Sequence, residues 1–403
     1  MAFSLKGIKV VQTAGAMAGP MSGRLLADWG ADVICIDSMV KRAQAAPIQA
    51  PPGQKAPPSP PLGPAGAGYG TQNVQRNKRS MALDLSKDSG RQIIYKLLEK
   101  SDVLLANFRP YELDKFKLDY GTLSKLNPRL IVANITGFGK NGPDKNAPGY
   151  GGVGETRAGL VHMLHLAGTE PSRMPLSFTD FFTGLSLTLG IMTALYIREQ
   201  TGEGQEVDAS LFNTIVWALT GDIGTTLVTG DDKPAAPRKD SNPLTNFYQT
   251  KDGRWLWLQA TNWIELCQII GRDDLAHDPR FEQMRPRAEN RLVLFEILNG
   301  IFVSRNLDEW KKILADKLPW TPVQTLPEVI EDPQARANDF FIPLDGTPYG
   351  RIDVTSSPVK LGKTPVTLRV PAPEAGQHTE EILRELNYKE EDIVRFRTEG
   401  AIN

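Results

Sequence analysis

Cysteine is nearly absent: Cys35 and Cys267 stand far apart among 403 residues, which leaves neither a disulfide framework nor a zinc site to be read. Histidine is almost as scarce, with only His162, His165, His277 and His378. The first two lie three apart on one expected helix, but no carboxylate or further histidine completes a metal-binding spacing, so no metal is expected. An excess of charge is missing too, since 46 Lys and Arg face 47 Asp and Glu for a formal net charge of −1. That balance gives no support to nucleic acid or an anionic membrane as a partner, and any anionic ligand has to be met by a local cluster. The opening MAFSLKGIKVV lacks the apolar segment and cleavage site of a signal peptide, which points to a cytoplasmic protein. Three catalytic fingerprints are absent as well. There is no GxSxG and no Walker loop, and in AGAMAGP the spacing of Gly15 and Gly19 is wrong for GxGxxG. Asp37 ends a strand where a dinucleotide-binding protein would hold a ribose, yet without the glycines a nicotinamide oxidoreductase has little standing.

What is present is an alternation of strand and helix. IKVVQT (8–13), PMSGRLLADW (20–29) and DVICID (32–37) read as a βαβ unit with a right-handed crossover. Residues 43–70 are rich in Pro, Gly and Ala and read as a loop or flap. Beyond them come a strand at 81–85, a helix at 88–99, a strand at 102–108, a helix near 111–126 and a strand at 130–138. Such alternation implies α/β architecture with a parallel sheet covered on both faces, whose ligands collect beyond the carboxyl ends of the strands. A helix is expected near 153–166, and another from Asp208 to about Val228. With 403 residues two domains are natural, and the polar, proline-containing stretch 230–245 marks the start of the second. A hairpin about Asp252-Gly253, helices near 262–270, 285–304 and 307–316, short strands over 342–361 and two amphipathic C-terminal helices complete the reading.

The stretch 175–212 organises the rest. From Phe181 to Ile197 it is uncharged and apolar on nearly every face, a core helix rather than a membrane span, with Asp180 at its head. The unpaired N–H groups and dipole of a helix start favour an anion there, so Asp180 is a candidate nucleophile; by position alone it, or Thr179, reads as readily as an N-cap. Gly184 and Gly190 inside the helix imply close backbone packing. Arg76, Lys78 and Arg79 precede a strand and suit a phosphate as well as a solvated face. Asn107 and Arg109 follow one strand end, and Gly137 and Gly139 another, where turn chemistry is the alternative.

In this order, AGP at 18–20, GADVICID, NKRSMALDL, SDVLLANFRP, ITGFGKNGP with PGY, TDFFTG, REQTGEGQEVDASLF and HTEEILRELNY resemble the class III CoA-transferases, which include the formyl-CoA and carnitine CoA-transferases. The resemblance runs from about residue 5 to 402 and is similar in detail to clostridial-type enzymes acting on aryl- or alkyl-substituted acids. It implies a Rossmann-like large domain built from 1–229 and 341–403, a smaller α+β domain inserted over 230–340, and two subunits threaded through one another as linked rings. It also implies that Asp180 is the nucleophile in CoA transfer from an acyl-CoA to a carboxylic acid, through a mixed anhydride and an aspartyl-CoA thioester. Arg76, Lys78, Arg79, Asn107, Arg109, Gly137 and Gly139 would then meet CoA, a substrate rather than a resident cofactor, and Met17, Ala18 and Tyr150 would line the acyl pocket. Met17 stands where formyl-CoA transferase has glutamine before AGP, which favours a medium-sized apolar or aromatic acid. An α-methylacyl-CoA racemase is the neighbouring alternative, but its histidine is missing from Pro148-Gly149-Tyr150-Gly151. An inactive CoA-binding subunit paired with an active paralogue is another, and the presence of Asp180 speaks against it.

Overall fold

The computed structural model describes residues 4–39, 69–166, 169–172, 177–232 and 235–403; the loop expected over 43–70 lies, up to residue 68, outside them. Two compact units divide the chain. The first comprises Met1–Val161, Arg173–Asp231 and Ala337–Asn403, the second His162–Ser172 and Asp232–Arg336.

Six parallel strands build the first unit: β1 (Lys9–Gln12), β2 (Asp32–Asp37), β3 (Arg79–Ala82), β4 (Val103–Ala106), β5 (Ile131–Thr136) and β6 (Glu206–Ser210), in the order β3-β2-β1-β4-β5-β6. The order reverses between β1 and β4, and such a switch point opens a crevice beyond the carboxyl ends of the strands. Successive strand residues are buried on opposite faces. Val10, Val33, Val103, Leu105, Ile131 and Ala133 form one core with Leu187, Ile191 and Ala194 of the long helix over Phe178–Thr201. Val11, Ile34, Leu104, Ala106 and Val132 form another with Ile93, Leu97 and the C-terminal residues Ile382, Leu383, Ile393 and Phe396. Strands buried on both sides explain the nearly unbroken apolar runs in the sequence.

The helices of this unit are α1 (Ala18–Asp28), α2 (Tyr69–Gln75), α3 (Asp88–Leu98), α4 (Pro110–Phe116), α5 (Tyr120–Leu126), α6 (Gly151–Arg157), α7 (Leu160–Leu164, entering the second unit), α8 (Phe178–Thr201), α9 (Leu211–Ala218) and α10 (Thr220–Thr229). Four expectations change. The single helix near 111–126 is two, because Lys117 takes a left-handed φ of 53° and ends α4. The helix near 153–166 is also two, α6 and α7. The helix expected from Asp208 begins at Leu211, since 206–210 pair with β5 as the edge strand β6. Finally, α8 is buried on one face only: Thr183, Gly184, Leu187, Ile191 and Ala194 are covered, whereas Phe181, Leu189 and Tyr196 are exposed in the single chain. By length and composition α8 passes for a membrane span, but its covered face packs on α1, β5 and β6. The helix glycines serve that packing. A Cβ on Gly184 would lie 2.5 Å from the Ala18 carbonyl oxygen, and one on Gly190 would lie 2.7 Å from Val207 Cγ1.

A three-stranded antiparallel sheet, β7 (Thr245–Gln249), β8 (Trp255–Gln259) and β9 (Trp320–Pro322), lies in the second unit with a helical layer around Tyr248, Trp263, Phe281, Phe302 and Trp310. The hairpin turns at Gly253 with a φ of 75°, whereas β9 went unrecognised. The helices over 262–270 and 307–316 are found, and the one over 285–304 is broken at Asn290. In the first unit, β10 (Phe341–Thr347) and β11 (Gly350–Thr355) form an antiparallel pair.

Candidate active site

Beyond the carboxyl ends of β1, β4 and β5 lies a cleft of about 240 Å³. It is bounded by the loop after β1 (Gly15, Ala16), the head of α1 (Ala18, Gly19), Asn107 and Arg109 after β4, Gly137 after β5, the loop 147–150, and Asp180. The walls are fixed locally. Asn107 clasps the β1 loop through both ends of its amide: Gly15 N–H donates to Oδ1 at 3.2 Å and Nδ2 donates to the Gly15 carbonyl at 3.3 Å. Across the cleft, Gly137 and Gly149 touch backbone to backbone, and a Cβ on Gly149 would lie 2.6 Å from the Gly137 Cα. Gly151 meets Asp180 in the same way, since its Cβ would fall 2.6 Å from Asp180 Oδ2.

Asp180 occupies the first turn of α8, half-buried. Neither it nor Thr179 is the cap. Ser177 is, in a left-handed conformation (φ 68°) and without a side-chain hydrogen bond. Thr179 is fully buried and its hydroxyl donates to Glu155 Oε2 at 3.0 Å. Among the described residues nothing hydrogen-bonds the Asp180 carboxylate, and burial, with the nearby Glu155 charge, raises its pKa above the ordinary aspartate value. The helix dipole alone suggests the opposite direction; here desolvation and like charge oppose it.

Arg109 is the cation of the cleft wall. Its guanidinium donates to both Glu112 oxygens, at 3.0 and 2.8 Å, and this pairing holds the Glu112 pKa down. The structure thus brings Ala18, Asn107, Arg109, Gly137, Tyr150 and Asp180 together. Met17 precedes the first residue of α1 and Gly139 accompanies Gly137, donating its N–H to Thr136 Oγ1 at 2.9 Å; neither lines the cleft.

Arg76, Lys78 and Arg79 are placed elsewhere, which revises their reading as phosphate ligands. Arg76 is fully buried and donates to Asp28 (2.7 Å) and to the Thr355 carbonyl (2.9 Å). Buried Lys78 donates to Gln12 Oε1, Gln75 Oε1 and the carbonyls of Pro20 and Val74, while burial lowers its pKa to about 8. Arg79 bridges Asp32 with Glu381 and Glu385 of a C-terminal helix. In sequence they look like free cations because most of their partners are distant along the chain: carboxylates for Arg76 and Arg79, and amide and carbonyl oxygens, Gln12 and Pro20 among them, for Lys78. Glu155, Gly149 and Gly151 carry little local signal in the sequence, that of the last two being the glycine density of PGYGG.

Comparison of the whole chain with known proteins finds one family. An acyl-CoA transferase from Fusarium pseudograminearum is 34% identical over 99% of this chain and 88% of its own length. The (R)-2-hydroxy-4-methylpentanoate CoA-transferase of Clostridioides difficile is 31% identical over 99% of both chains. The crystal structure of a CAIB/BAIF family protein from Brucella suis superposes with a TM-score of 0.80 at 28% identity, covering 96% of this chain and 100% of that one. With the family model for CoA-transferase family III matching residues 5–379, this chain belongs to that family of CoA-transferases.

Proposed function

We propose that the enzyme moves coenzyme A from an acyl-CoA to a medium-sized apolar or aromatic carboxylic acid, with Asp180 as covalent nucleophile. The placement of one carboxylate carries the reading: Asp180 lines a cleft at the switch point of the sheet, close against the Gly151 backbone.

The reaction needs no net proton transfer. An Asp180 oxygen attacks the thioester carbonyl, the C–S bond breaks, and CoA leaves as thiolate from a mixed anhydride. The thiolate then attacks Asp180 Cγ, expelling the donor carboxylate and leaving an aspartyl-CoA thioester. The acceptor carboxylate attacks Cγ in turn and releases the thiolate, which takes the acceptor's acyl carbon and restores the Asp180 carboxylate. A raised pKa makes that carboxylate, once ionised, the stronger nucleophile. Arg109, Asn107 and Gly137 are read as contacts for the CoA chain, with Arg109 in place of the already partnered Arg76, Lys78 and Arg79 as the phosphate-facing cation. Ala18, Ile135, Pro148, Tyr150 and Leu211 give the cleft an apolar share, consistent with the branched acid named for the C. difficile relative.

Incubation with an acyl-CoA followed by hydroxylamine is expected to leave a hydroxamate on Asp180, located by mass spectrometry, and Asp180→Ala is expected to fold and to lose transfer. An adduct on another residue, or full turnover by the variant, would overturn the assignment. Acyl-CoA donors run against a panel of acids read out the acceptor class; a product formed only by inversion of an α-centre would instead indicate a racemase.

A further inference from the structure

Behind Asp180 stands a second carboxylate that the scheme above does not use. Glu155 lies on α6 with 7% of its surface exposed, and no cation pairs with it among the described residues. Among the described residues its side chain accepts one hydrogen bond, from Thr179, the residue next to Asp180. A buried carboxylate held by a single hydroxyl is costly, and packing alone would favour a neutral or apolar side chain there. The same helix provides Gly151 one turn earlier, and residues four apart share a helix face. α6 therefore presents to the head of α8 a gap that admits the Asp180 carboxylate and, beside it, a fixed negative charge.

Resting on the covalent reading of Asp180, we propose that Glu155 is a positioning residue for that chemistry: through Thr179 it fixes the first turn of α8, and its charge repels the Asp180 carboxylate until acylation relieves the repulsion. The bookkeeping follows the first step already given. Asp180 carries one negative charge as a carboxylate and none as an anhydride or thioester, because the charge leaves on the CoA sulfur. An interaction that is unfavourable before the step and absent after it lowers the barrier. The other charged groups of the cleft are Arg109 and Glu112, both from the segment at α4 and hydrogen-bonded to each other. α1 and α9 contribute only Ala18, Gly19 and Leu211 to the wall. After burial itself, Glu155 is also the charge among the described residues that raises the Asp180 pKa.

Two variants separate charge from hydrogen bond. Glu155→Gln keeps an acceptor for Thr179 and removes the charge, whereas Thr179→Val keeps the charge and removes the donor. For Glu155→Gln, single-turnover formation of the aspartyl adduct is expected to slow by about tenfold, with the acid limb of its pH profile moved to lower pH. For Thr179→Val the limb should hold its place while the rate falls by roughly 10–100-fold through misplacement of Asp180. If Glu155→Gln forms the adduct on Asp180 at the wild-type rate, or slows without moving the limb, the inference is wrong and the covalent reading stands. An adduct on a different residue removes both.

Discussion

A methyl group is the smallest addition possible at position 151, and it would come within 2.6 Å of the Asp180 carboxylate and 3.7 Å of the Thr179 Cβ. Thr179, fully buried and held by Glu155, is at ordinary contact distance and need not move, so the adjustment falls on the Asp180 carboxylate. The carboxylate would have to turn away from the cleft. Gly151→Ala is therefore expected to keep its far-UV circular dichroism and to lose about 100-fold in kcat, the usual cost of displacing a reacting atom by an ångström. Wild-type kcat in that variant would show that Asp180 reacts from a different rotamer. Sequence pattern reaches Asp180 because a carboxylate opening a charge-free helix is a local signal within TDFFTG. It does not reach Gly151 or Glu155, whose meaning lies in the approach of α6 to α8 across more than twenty residues of chain. Local pattern misleads at Asp180 itself, since the dipole argument leaves out the buried Glu155.

Elements in this chain are decided by their neighbours as often as by their own pattern. EVDAS alternates as an edge strand should, but it runs into an apolar helix and becomes legible only through its register with Ile131–Thr136. Most of the strand–helix alternation of the first 140 residues needs no such help, because β1, β2, β4 and β5 are largely apolar runs; β3 (RSMA) is the exception and begins at Arg79 rather than at the expected Met81. The segment joining α2 to β3 shows the same dependence energetically. Asp28 on α1 is fully surrounded, accepting from Arg24, Arg76 and Asn77, while both arginines also reach the Thr355 carbonyl of β11 (the shorter of these contacts joins Arg24 to Thr355). Removing Arg76 leaves a buried carboxylate short of a partner, so Arg76→Ala is expected to cost about 3–5 kcal/mol in stability. Because Arg76 is remote from the cleft lining, the KM of the folded enzyme for acyl-CoA should not change. Denaturant unfolding and steady-state kinetics on the same preparation separate the two roles; an unchanged stability with a raised KM would return Arg76 to the phosphate.

At the scale of the whole molecule, the exposed side of α8 to α10 is the unfinished part. Leu189, Tyr196, Trp217, Leu227 and Val228 are all solvent-facing in the single chain, Val228 at 87%. Side chains of this size gathered on consecutive helices are what a partner covers. No periodicity in the sequence announces it, because an apolar face reads alike whether it meets its own core or another subunit. We propose that the partner is a second copy of this chain, threaded with the first as the linked rings that the resemblance implies. A linked pair differs from an ordinary dimer in one measurable respect: neither dilution nor time at native conditions separates closed rings, so subunits exchange only by way of unfolding. Mixing two preparations carrying different affinity tags should therefore give no doubly tagged species over hours in native buffer, and about half doubly tagged species after joint denaturation and refolding, the statistical share for random pairing of two equal pools. Doubly tagged dimers appearing in native buffer would leave the dimer but remove the linkage, and a monomer in light scattering would remove both.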